Sequence, residues 1–170
     1  GIALSNIDSF GFYNFFYLPR YWKSIYKKYI SGESATPEEL KAFGLRYKKL
    51  IAQSLIEYNR KQFISKFPPN TGSTRNLLDM FPQAKFVYIY RNPVLVFQST
   101  VNFFETTHEA LMLQPFSSAE FEEMVFELYE MIIKDYERLK SLIPADHLVE
   151  IRYEDFEADP LIGLRNIYER

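Results

Sequence analysis

Arg91, Asn92, Pro93 and Ser99 fall within fifteen residues, Lys85-Phe-Val-Tyr-Ile-Tyr-Arg91-Asn92-Pro93-Val-Leu-Val-Phe-Gln-Ser99, whose types and spacing suit the capture of an anion. The stretch reads as a short apolar strand that stops at an arginine. Asn92 can cap a following helix. Pro93 fits its first position, where a missing N–H costs nothing. Such a junction offers backbone N–H groups and the positive end of a helix dipole. Arg91 adds a planar cation matched to phosphate. Ser99, about two helical turns on, can supply a hydroxyl. The competing readings are an Arg91 ion pair with one of the many acidic residues and a Ser99 hydroxyl bonded back to its own helix.

The elements that must position these groups are marked by periodicity and caps. Trp22, Ile25, Tyr26, Tyr29 and Ile30 keep helical spacing after Pro19. Thr36-Pro37-Glu38-Glu39 is a capping box with proline at N1, and predicts a helix to about Tyr58. Gln62–Lys66 reads as a short strand broken by Pro68-Pro69, with a short helix to Met80 after it. Residues 85–90 are the next strand, and the helix from Pro93 is expected to reach about Glu109. Ser117-Ser118-Ala119-Glu120 is a second capping box. Behind it Phe121, Val125, Leu128, Ile132, Tyr136 and Leu139 form a core stripe. His147–Arg152 is a third strand, and Asp159-Pro160 starts a last helix.

Strands alternating with helices predict an α/β fold with a parallel sheet covered on both faces. Ligands of such sheets bind beyond the C-terminal strand ends. Three ends carry polar residues: Lys66, Arg91 with Asn92, and Tyr153-Glu154-Asp155. They are expected to meet in one crevice. At 170 residues the chain is expected to be a single domain, mainly helical and aromatic-rich over 1–60 and α/β over 61–170.

Charge is lopsided: residues 1–91 carry 14 Lys/Arg against 6 Asp/Glu, and residues 92–170 carry 6 against 16. The basic half could attract an anionic substrate, although most of these charges read as solvated helical faces. No stripe suggests nucleic acid. With no cysteine and only His108 and His147, neither a disulfide framework nor a metal site is expected. There is no apolar run long enough to span a membrane and no leader pattern, so the cytoplasm is the expected compartment.

Taken together these motifs resemble the sulfotransferases that use 3′-phosphoadenosine 5′-phosphosulfate (PAPS). In that family a strand ends in Arg-Asn-Pro or Arg-Asp-Pro, and a serine eight residues past the arginine joins it on the cofactor's 3′-phosphate; Arg91 and Ser99 match. The family's Tyr-Glu-Asp-Leu segment, followed by Asp-Pro, is matched by Tyr153-Glu154-Asp155-Phe156 and Asp159-Pro160. The resemblance makes Tyr153 a contact near the adenine. Lys66-Phe-Pro-Pro-Asn-Thr-Gly72 with Leu77-Leu78-Asp-Met-Phe81-Pro82 resembles a run common in a bacterial branch, and points to Lys66 as the catalytic cation near the transferring group or acceptor.

The resemblance implies a P-loop NTPase-like three-layer α/β/α fold and sulfuryl transfer from PAPS to a hydroxyl of a carbohydrate, lipid or small metabolite. PAP would be the product, with no metal involved. It also implies that the loop holding the 5′-phosphosulfate lies before residue 1 and that a C-terminal closing segment lies beyond residue 170. The sheet would then have open edges, and self-association is expected. Departures are the family histidine two residues after the lysine, here Pro68; the arginine after Asn-Thr-Gly, here Ser73; and an aspartate, here Leu95. A general base is not identified. Two other readings stay open: a catalytically silent PAP-binding module, and another P-loop-type phosphotransferase, which the lack of G-x-x-x-x-G-K-[ST] disfavours.

Overall fold

The computed structural model describes residues 11–108 and 111–169, the side chain of His108 excepted. The expected helix end at Glu109 lies outside what is described. The described part begins with 3₁₀ turns at Phe12–Phe16 and Pro19–Tyr21. Helices α1 (Trp22–Tyr29) and α2 (Pro37–Glu57) follow, then a 3₁₀ turn at Pro68–Ser73 and helix α3 (Thr74–Met80). Strand β1 (Phe86–Tyr90) leads into helices α4 (Pro93–His108) and α5 (Ser118–Leu139). Two further 3₁₀ turns precede strand β2 (Leu148–Arg152), and helices α6 (Tyr153–Ala158) and α7 (Pro160–Tyr168) complete the order.

Helix starts follow the local chemistry read above. Thr36 Oγ1 accepts the Glu39 N–H at 3.2 Å while Glu39 returns a carboxylate oxygen to the Thr36 N–H at 2.9 Å. Ser117 and Glu120 do the same at the head of α5. Asp159 caps α7 through the Ile162 N–H at 3.1 Å. Each cap satisfies donors that the first turn leaves orphaned, and is worth roughly 1 kcal/mol.

The core is helical. Phe15, Trp22, Ile25, Tyr26 and Ile30 from the N-terminal part pack with Val101 and Phe104 of α4 and with Phe121, Met124, Val125 and Leu128 of α5. The aromatic-rich start is therefore largely core. Tyr26 is buried and donates its hydroxyl to Asp135 Oδ2 at 2.8 Å. Burial first, and Asp135 second, push its phenol well above the usual range. Gly72 packs on this ring so closely that an added Cβ would sit 2.5 Å from the Tyr26 hydroxyl.

The two charged halves of the sequence meet here. Arg20 pairs with Glu120 at 3.3 Å and Lys23 with Glu127 at 2.7 Å, so basic residues of the first half face acidic residues of α5. These exposed pairs contribute little individually, but they account for charges that otherwise resemble an anion-attracting surface.

Among the described residues β1 and β2 form a two-stranded parallel sheet, registered from Phe86 opposite Leu148 to Tyr90 opposite Arg152. Helices α4 and α5 are the crossover that a parallel pair requires. On one face Tyr88 lies against Tyr136 of α5, with ring centroids 4.0 Å apart. On the other, Val87 and Ile89 stay 45% and 48% exposed.

One expectation is corrected, and a second is met only in part. Residues 62–66 form no strand, because no described strand lies alongside to take their hydrogen bonds. The described helices cover the Tyr88 face of the sheet and leave Val87 and Ile89 on the other face open. The architecture is a helix-dominated α/β arrangement with a short parallel sheet.

Candidate functional site

The C-terminal ends of β1 and β2 lie side by side, which brings Arg91 and Tyr153 together. The Arg91 Cζ lies 4.6 Å from the centroid of the Tyr153 ring. This geometry suits a cation–π contact and leaves the edge N–H groups of the guanidinium free for an oxyanion. Arg91 makes no ion pair with any described residue. The Tyr153 hydroxyl donates to Glu157 Oε1 at 3.4 Å, which ties the ring to α6.

Asn92 caps α4 as expected: its Oδ1 accepts the Val94 N–H at 3.0 Å. Its own N–H donates to Glu154 Oε1 at 3.1 Å, and the other oxygen of Glu154 accepts from Arg152 Nε at 3.1 Å. Glu154 thus links the end of β2 to the start of α4. The Asn92 N–H is the first cause holding its carboxyl below the usual glutamate range, with Arg152 a lesser one. Two backbone donors of the junction are therefore already in use, and its capacity for an anion rests mainly on Arg91. Ser99 is exposed on α4, and among the described residues its hydroxyl has no partner. The back-bonding threonines on this helix are Thr100, to the Val96 carbonyl at 2.7 Å, and Thr106.

Lys66 lies elsewhere. It sits in the extended segment before Pro68 and lines a cleft of about 260 Å³ bounded by α1, α2, α3 and the 63–67 segment. Phe12, Phe43, Leu50, Phe63 and Met80 supply much of its apolar wall. Neither Arg91 nor Tyr153 is among its lining residues. The three polar ends expected in one crevice are thus two neighbours, Arg91 and Tyr153, and a lysine on a separate cleft.

That cleft holds a polar group that sequence reasoning missed. Tyr47 Oη and Ser65 Oγ are 3.3 Å apart, and Asn70 Nδ2 donates to Ser65 Oγ at 3.2 Å. Ser65 and Asn70 flank Lys66 in sequence, a visible signal, but Tyr47 reaches them only through the fold. Among the described residues no group of His, Cys, Asp and Glu could hold a metal ion. No described helix is long and apolar enough to cross a membrane.

Residues 17–170 match the profile of the sulfotransferase family. Curated relatives include the omega-hydroxy-beta-dihydromenaquinone-9 sulfotransferases of Mycobacterium bovis and Mycobacterium tuberculosis. Each is 28% identical over 144 residues, 85% of this chain and 37% of the relative. The chain therefore spans little more than a third of the length of the curated relatives it matches. No solved structure matches it.

Proposed function

The chain belongs to the sulfotransferase family, and from that premise we propose that it recognises the 3′-phosphate of PAPS in an enzyme that moves a sulfuryl group to a hydroxyl. The observation that carries this reading is Arg91: a guanidinium without an ion pair among the described residues, set on an aromatic ring at a strand–helix junction. Arg91 binds the 3′-phosphate as a forked cation, and Ser99 adds a hydroxyl to it. Tyr153 holds the guanidinium and flanks the adenine side. In the reaction the acceptor oxygen forms a bond to sulfur as the bond from sulfur to the 5′-phosphate oxygen breaks. PAP leaves, and the hydroxyl proton passes to a base.

Lys66 is the candidate cation for charge developing on the transferring group or leaving oxygen. A single well-placed donor of that kind is worth about 3 kcal/mol of barrier. For the fold we propose the three-layer P-loop-like architecture in which β1 and β2 are neighbours. Residues 1–170 are part of a single sulfotransferase-like domain, and the cytoplasm is the compartment. The relatives' printed substrate, a menaquinone with an omega-hydroxyl, supports an acceptor hydroxyl carried on a lipid.

Calorimetry with PAP, on the wild-type chain and on Arg91→Ala, tests the site. The expected result is binding that Arg91→Ala weakens at least tenfold, and binding indifferent to that change removes the assignment. Transfer of labelled sulfate from PAPS by the whole gene product then separates an enzyme from a silent nucleotide-binding module.

A further inference from the structure

We infer that the cleft beside Lys66 is the acceptor site, and that it takes a hydroxyl-tipped apolar chain rather than a sugar. This inference rests on the sulfuryl-transfer reading for its chemistry, but its geometry is independent of the nucleotide site. The first support is the distribution of polar capacity. Two polar side chains of the lining, Ser73 and Asn76, already donate to the Ile30 carbonyl, at 2.9 Å and 3.1 Å. The Tyr47–Ser65–Asn70 group is bonded within itself and keeps only the donors and acceptors beyond those bonds, while the Lys66 ammonium has no partner among the described residues. The rest of the described wall is Gly11, Tyr29 and aromatic or aliphatic side chains.

A sugar presents a hydroxyl at nearly every carbon. In this cleft most of those hydroxyls would lose water against Phe43, Leu50 or Phe63 without gaining a partner, which disfavours binding. A chain with one terminal hydroxyl matches the lining instead. Its hydroxyl reaches the one polar cluster, and its carbons cover apolar wall. Tyr47 and Ser65 are suited to orient the hydroxyl oxygen, and Lys66 is placed to meet the charge that develops on transfer.

The second support is where the wall comes from. Phe63 and Ile64 belong to the segment that forms no strand. Free of a ladder, these neighbouring residues both contribute to the cleft, which strict strand alternation would not allow. The segment that carries Lys66 is thereby also a wall of the space that Lys66 serves.

Farnesol and cellobiose are the probes, titrated by calorimetry against the full chain. Farnesol is expected to bind and cellobiose not. Leu50→Trp, which fills the cleft, and Phe63→Ser, which opens its wall in a segment outside the helical core, should each weaken farnesol at least tenfold while circular dichroism stays native. Arg91→Ala should leave farnesol binding unchanged and lose PAP. Cellobiose binding, or farnesol binding indifferent to both cleft variants, overturns the inference. Farnesol binding that follows the cleft variants, with no PAP binding, keeps the cleft and removes the nucleotide reading, so the two failures are distinguishable.

Discussion

The guanidinium carbon of Arg91 rests 4.6 Å from the centre of the Tyr153 ring, and these two residues come from the ends of adjacent parallel strands. The contact fixes a cation that could otherwise sample many rotamers, so part of the entropy of ordering it is lost before an anion arrives.

The ring face, rather than the hydroxyl, should matter for that role. Tyr153→Phe is expected to keep PAP affinity within about twofold of wild type. Tyr153→Leu should weaken it by about two- to thirtyfold, the range of a cation–π contact of about 0.5–2 kcal/mol. Calorimetry on the two variants measures the difference. Equal losses would assign Tyr153 a role through its hydroxyl and Glu157.

Glu154 gives the junction a dependence on pH. Its carboxyl is held below the usual range by the Asn92 N–H. A depressed carboxylate contributes stability that is present above the ordinary glutamate value of about 4.3 and is lost as pH falls through the depressed one. The Asn92 amide resonance should therefore titrate with a midpoint below that ordinary value. Glu154→Gln should abolish the titration. A midpoint at or above the ordinary value would contradict the linkage described.

Gly72→Ala is expected to destabilise the chain by about 1–3 kcal/mol, the usual range for overpacking a core. The added methyl would meet the Tyr26 hydroxyl, which is itself held on Asp135. Tyr26→Phe should relieve part of the clash, so the double variant should lose less than the sum of the singles. Urea unfolding of the four chains checks this.

Among the described residues both strands of the sheet are edges, and Val87 and Ile89 present an apolar stripe beside one of them. Pairing with a second copy is the expected outcome. Light scattering should report a mass that rises with concentration, and Val87→Lys should return it toward a monomer. A clean monomer in the wild type would exclude this association.

What the sequence made legible was local. The caps at Thr36, Asn92, Ser117 and Asp159 depend on side chains within a few residues of the helix they start, and all four formed. The apolar stripe of α5 depends on period alone, and Phe121, Val125, Leu128, Tyr136 and Leu139 are buried. Strands are less local. Residues 62–66 have a strand's composition, but a ladder needs a partner, and none of the described strands supplies one. The same limit applied to the site. Arg91 with Ser99 was visible as spacing across one strand–helix junction, and the resemblance brought in Tyr153. The reach of Glu154 to Asn92 and of Tyr47 to Ser65 are tertiary events without a periodic signature.

The parallel pairing of β1 with β2 also bears on when, during synthesis, a nucleotide could first be held. Asn92 and Glu154 are 62 residues apart, and closing a loop of that length costs about 3–4 kcal/mol beyond a constant. A ribosome releasing this chain from its N-terminus delivers Arg91 long before the ring on which it rests. Until α6 emerges, the arginine is an ordinary mobile cation at a helix start. Formation of the Arg91–Tyr153 contact is thus a late event of biogenesis, and a prematurely terminated polypeptide ending before Tyr153 would carry the arginine motif without its aromatic seat.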